Sequence, residues 1–235
     1  MVDQHEDYAA LANFGQSFAE SEPKGLPKIR IMLRAGTVLG RRLGGMAVAR
    51  LLLRAPLLAA KVDLGALVEL RERGLEDLRF LAARVDETTL AAAVVEQIGH
   101  DRAAKLYREI LEEVADDVMG ELVPTAAALA ACGDAFSALR AYLKAAAAAN
   151  AAAGIHHCEI RDDREDVFAY DVVYCAYERV AAAYGDSRLC DIANCTGDDV
   201  SFPRLCRKIG ARFSRTSTLA RGARCCDFRF ERVAT

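Results

Sequence analysis

A chain of 235 residues, 53% hydrophobic and 28% charged, is long enough to bury a substantial core and too evenly mixed to be disordered. A net charge of −3 singles out no partner, and the absence of a P-loop, a Gly-x-Gly-x-x-Gly and a Gly-x-Ser-x-Gly argues against nucleotide binding and the serine hydrolases, with no nucleic-acid partner expected. Eight cysteines behind a start that holds Asp3, Glu6 and Asp7 read as reduced thiols of a cytoplasmic protein, not as a secreted disulfide scaffold.

Residues 1–28 contain Gly15, Pro23, Gly25 and Pro27 with no sustained period, and predict a loose arm with one short helix. Between Pro23 and Val62 there is no acidic residue, while Lys24, Lys28, Arg30, Arg34, Arg41, Arg42, Arg50, Arg54 and Lys61 all fall there. Residues 38–60 predict one or two helices. Their arginines alternate with leucines at helical spacing, so the basic segment is expected to cover the chain's own acidic stretch at 109–121, or that of a partner subunit in a homo-oligomer or another protein, and to leave its leucines dry. A membrane surface is the rival reading, disfavoured because the stretch has no Trp or Phe. No membrane span is expected, since Arg50, Arg54 and Pro56 interrupt the longest apolar run at 43–62.

A helix at 63–83 starts after the cap Asp63, and Asp86 or Thr88 starts another that Gly99 ends. Further helices are expected at 101–121 and 134–152. Beyond Gly154 the apolar period changes to two. Residues 155–160 and 167–174 form a hairpin around the turn Arg161-Asp162-Asp163-Arg164, a helix at 176–184 ends at Gly185, and residues 212–219 and 226–233 make a second strand pair. The fold class is therefore α+β, with N-terminal helices packed on a C-terminal antiparallel sheet.

Three stretches carry chemistry: Tyr174-Cys175-Ala176-Tyr177-Glu178, Asn194-Cys195-Thr196-Gly197-Asp198, and residues 215–222 with Cys226-Asp227-Phe228-Arg229. Together they resemble the L-2-amino-thiazoline-4-carboxylate hydrolase family over residues 90–232. That resemblance implies water addition at the carbon between nitrogen and sulfur of a small carboxylated cyclic amidine or thiazoline, with ring opening that releases a thiol. It implies a catalytic domain at 86–235 behind a helical extension at 1–85. In the family pattern a Cys and an Asp stand where Cys195 and Asp198 stand here, whereas the family often has Asn-Arg in place of Thr196-Gly197.

Read on their own, Cys195 and Asp198 lie three apart. Asp198 cannot lower a thiol pKa by its charge, and suits a base for water or an acid for the leaving sulfur. Cys195 is either a nucleophile or a buried structural thiol. On the expected strand, Thr216 and Thr218 share a face and Arg215 takes the other, its fork suited to a substrate carboxylate or to an internal one. Cys226, Phe228 and Phe230 share a face opposite an outer Asp227–Arg229 ion pair, so Cys226 is core or pocket floor, and it joins Cys175 among the substrate-contacting candidates.

No cofactor and no metal are expected, because the cysteine gaps lack close ligand pairs; a site built from Cys175, Cys195, Cys226 and Asp198 is the minor alternative. Of His156 and His157 only one can face inward, and nothing marks either as a base. The leading reading is a hydrolase acting on a small-molecule substrate. A ring-closing tailoring enzyme in small-molecule biosynthesis and a non-enzymatic binding module are its rivals.

Overall fold

The computed structural model describes residues 8–233, without the side chains of residues 116 and 118–121, so Asp116 and Glu121 of the acidic stretch lie outside the described side chains. The helices are α1 Phe18–Ser21, α2 Gly25–Leu43, α3 Gly45–Leu58, α4 Leu64–Glu72, α5 Leu78–Ile98, α6 His100–Leu122, α7 Ala126–Ala131 and α8 Ala135–Ala152. Caps set their starts: Asp63, Asp77, Thr125 and Asp134 each accept a backbone N–H from the first turn that would otherwise lack a partner.

Helix α2 begins inside the stretch expected to be a loose arm. Pro27 does not prevent this, because the first-turn N–H groups of a helix have no intrahelical acceptor. The helix expected at 63–83 is cut by Gly74, at φ 95°, and Asp77 rather than Asp86 or Thr88 caps the next one. Helix α7 has no counterpart among the expected elements.

The sheet is built from β1 His156–Asp163, β2 Val167–Cys175, β3 Ala211–Ser214 and β4 Cys226–Arg232, all antiparallel in the order β1-β2-β4-β3. Between β2 and β3 run α9 Ala176–Tyr184, α10 Arg188–Cys190, a π-helical turn Asp191–Cys195 and α11 Thr196–Lys208. The strand expected at 212–219 stops at Ser214, so residues 215–218 are not strand. On β4 the alternation holds: Cys226, Phe228 and Phe230 are buried. Arg229, however, pairs with Glu231 at 3.0 Å and not with Asp227.

One core fills the space between the sheet and helices α8 and α11, where Phe168, Tyr170, Phe228 and Phe230 meet Phe202, Phe136 and Leu139. A second joins α3, α5 and α6 to Leu189, Cys190, Ile192 and Cys195. The π-turn that carries Cys195 is thus packed into the helical layer at one end and leads into the sheet's own helix at the other.

Gly154 shows how tightly the layers meet. Its φ is +68°, and a Cβ there would lie 2.5 Å from the backbone N of Leu75 and 2.6 Å from the carbonyl carbon of Gly74. Gly154→Ala is expected to lose about 2 kcal/mol or more, because the left-handed backbone and a collision with rigid main chain add. Urea unfolding checks this; a midpoint equal to wild type would mean that the α4 turn gives way freely.

The basic segment does cover the chain's own acidic helix. Arg30 and Arg34 reach Asp117 at 2.6 and 2.5 Å, Arg34 also reaches Glu113, and Arg42 pairs with Glu109, while Arg54 and Lys61 share Glu96 on α5. Only some of the leucines are dry, which corrects that part of the expectation. Val38, Leu51, Ala55 and Leu58 are buried and Leu39 and Leu43 pack partly against the core, while Leu26, Leu33, Leu52, Leu53 and Leu57 are left exposed. Among the described residues no single helix is long and apolar enough to cross a membrane.

Candidate functional site

The hairpin turn falls at residues 164–166, where Arg164 N–H donates to Val167 O at 2.9 Å, later in the chain than the Arg161–Arg164 turn. In this register His156, the first residue of β1, faces Cys175, the last of β2. Cys175 Sγ lies 3.4 Å from His156 Nε2. The imidazole stacks on Tyr177 at 5.5 Å and meets the edge of Phe18 at 5.5 Å. Phe18 is placed by α1, whose first N–H donates to Asn150 Oδ1 at 2.8 Å, so a residue from the segment before 86 touches this pair.

Two more thiols flank the π-turn. Cys190, just before it, and Cys195, at its end, lie with their Sγ atoms 4.0 Å apart, and such turns recur at functional sites. The influence of the Cys190 thiol and then of the neighbouring His156 ring holds the Cys175 thiol well below the ordinary range despite burial. Cys190 is pushed up in turn by the Cys175 and Cys195 thiols and by burial. Within the cluster, Cys175 is the sulfur poised to be thiolate.

Asp198 sits in the first turn of α11. Burial raises its carboxyl above the usual range, against the pull of Arg215, and it feels the His156 ring. Its side chain nevertheless stays 38% accessible and is not packed over. Arg215, only 2% accessible, donates to Asp198 Oδ2 at 2.8 Å, to Asp199 Oδ1 at 2.7 Å and to the Cys195 carbonyl at 2.7 Å, and it lies over the Phe228 ring. Both arms of its fork are filled by the chain's own groups. Cys226 Sγ accepts the Leu219 N–H at 3.3 Å, and burial pushes its thiol up to about 12.

Of the residues singled out in the sequence, Cys175, Cys195, Asp198, Arg215 and Cys226 are brought into one electrostatically linked cluster. The two threonines are not a pair on one strand face. Thr216 is exposed and bound to Asp227 Oδ2 at 2.5 Å, while Thr218 is 2% accessible with its hydroxyl buried and unpartnered. His156 and Cys190 are the members that sequence reasoning missed; the correct hairpin turn would have put His156 opposite Cys175.

All eight cysteines are free, and no group of three or more His, Cys, Asp or Glu among the described residues is arranged to hold a metal ion. A surface cavity of about 210 Å³ lies between α4 and α9, and its wall holds no thiol, no His and neither Asp198 nor Arg215. A family model described as L-2-amino-thiazoline-4-carboxylic acid hydrolase matches residues 79–230, a span that holds every member of the cluster except Phe18. No curated protein and no solved structure matches the chain.

Proposed function

The chain belongs to the L-2-amino-thiazoline-4-carboxylic acid hydrolase family, and from that premise we propose that it opens a small carboxylated 2-amino-thiazoline, or a close cyclic amidine, with Cys175 as nucleophile. The observation that carries this reading is the Cys175–His156 pair, 3.4 Å apart, with the thiol held low and a raised carboxyl beside it. A depressed thiol next to an imidazole is what nucleophilic catalysis needs near neutral pH, since the thiolate is the attacking form.

The Cys175 thiolate adds to the carbon between ring nitrogen and sulfur, and the C=N electron pair moves to the nitrogen, which takes a proton from Asp198. The ring C–S bond then breaks, and the departing sulfur takes the proton held on His156. The carbon remains bound to Cys175 as an isothiouronium cation. Water adds to it while Asp198 recovers a proton, Cys175 leaves as thiolate, and His156 takes the remaining hydroxyl proton as the carbonyl forms. The product is an open-chain thiol carrying a urea group, and every enzyme group returns to its starting state.

Arg215, with its fork filled, serves to hold Asp198 in place. Cys195, Cys226 and the unpartnered Thr218 hydroxyl are then the groups proposed to touch substrate, with Thr216 committed to Asp227. Asp198→Asn is expected to lower thiol release from 2-amino-thiazoline-4-carboxylate by about 10²- to 10⁴-fold, the range typical of a lost general acid–base group. A folded Asp198→Asn variant with wild-type turnover would remove Asp198 from the reaction.

A further inference from the structure

Among the described residues, eight of the thirteen large apolar side chains that are most exposed fall between Leu26 and Leu57, on α2 and α3. Monomeric soluble proteins seldom leave so much contiguous apolar surface uncovered unless something binds there. On α2, Ile29, Met32 and Leu33 recur at three and four residues and are each more than half exposed; on α3, Met46, Leu53 and Leu57 recur at seven and four and are equally exposed. Helix α2 packs on α6 and α3 packs on α5, and both leave these side chains exposed on the outer side of the helical layer.

The charges choose the occupant. Arg30, Arg34, Arg42, Arg54 and Lys61 are tied inward to Asp117, Glu113, Glu109 and Glu96. Lys28, Arg41 and Arg50 are exposed and make no ion pair among the described residues. No carboxylate stands from Pro23 to Val62, and Lys28 and Arg41 feel Glu87 and Glu109 on the helices beneath without pairing to them. Two copies placed face to face would set these cations against each other, whereas an anionic lipid headgroup layer satisfies them and takes up the leucines together. Long cationic side chains at the margin of an apolar stripe reach the headgroups by extending along it.

We propose that the outward face of α2 and α3 docks on the surface of an anionic lipid bilayer. The helices meet at a bend of 118° at Gly44, and neither alone is long and apolar enough to span, so in this docking both are laid on the interface. Leu, Ile and Met supply the buried area, in the absence of Trp and Phe. Docking this face leaves the thiol cluster, which is built on the sheet and α11, outside the contact.

Co-flotation of the full chain with vesicles tests this. The protein should float with vesicles of phosphatidylglycerol and phosphatidylcholine in equal parts and stay behind with phosphatidylcholine alone. Leu33→Glu with Leu53→Glu, both at exposed positions, should cut the bound fraction about tenfold with an unchanged thermal melt. Arg41→Glu with Arg50→Glu should do the same, and high salt should mimic it. Absence of flotation with the anionic vesicles, or binding that survives both double variants, overturns the proposal. So does a wild-type dimer in sedimentation that the leucine variant dissolves without any vesicle binding, which would assign the face to a second copy of the chain.

Discussion

Cys175→Ala is expected to lower turnover of 2-amino-thiazoline-4-carboxylate by about a thousandfold or more, while Cys195→Ala, which removes a substrate contact and no bond-making group, costs far less. The two thiols differ in surroundings more than in sequence context. Cys175 has an imidazole at 3.4 Å, and its thiol is held low by Cys190 and that ring. A depressed thiol keeps its reactive form as pH falls below the ordinary thiol range, so iodoacetamide at pH 7 should label Cys175 first, and His156→Ala should move that labelling to higher pH. If Cys195→Ala is dead and Cys175→Ala retains activity within tenfold of wild type, the nucleophile is Cys195 and the role given to the His156 pair is wrong.

How far residues alone can reach is clearest at this pair. The hairpin is legible from its period of two, but the polar run Arg161–Arg164 imitates a turn, and the chain turns at 164–166. A shift of that size changes which residues face each other across the strands, and it hides His156 from Cys175. Helix α11 is obscured by Thr196-Gly197 at its start and Pro203 within it, both poor helix signals, although Asp198 and Asp199 in the first turn suit the positive end of a helix. The strand after Arg212 is cut short because Arg215 turns into the protein toward two carboxylates, a tertiary demand that no local pattern announces. On α2 and α3 periodicity identifies helices but cannot say that both faces are apolar and only one is covered.

Arg215→Met should destabilise the fold by about 3 kcal/mol, the lower end of the cost of removing one partner from a buried ion pair. The guanidinium is 2% accessible and bonds Asp198, Asp199 and the Cys195 carbonyl, so its loss strands two carboxylates beside the π-turn. Asp198 and Asp199 keep 38% and 24% of their side-chain surfaces accessible, and water there limits the cost. The pH dependence separates this from lost packing. Burial already raises the folded-state pKa of Asp198, so the folded chain binds its proton more tightly than the unfolded one, and the carboxylate opposes folding above that raised pKa. Without Arg215 the shift grows. The defect should therefore be largest at neutral pH and shrink as pH falls toward about 4, where an unfolded Asp also takes up its proton. Asp198→Asn in the Arg215→Met background should recover part of the loss at neutral pH, since an amide needs no counter-charge. A defect of equal size from pH 4 to 7, untouched by Asp198→Asn, would show that Arg215 acts through its contact with Phe228 and not through its carboxylates.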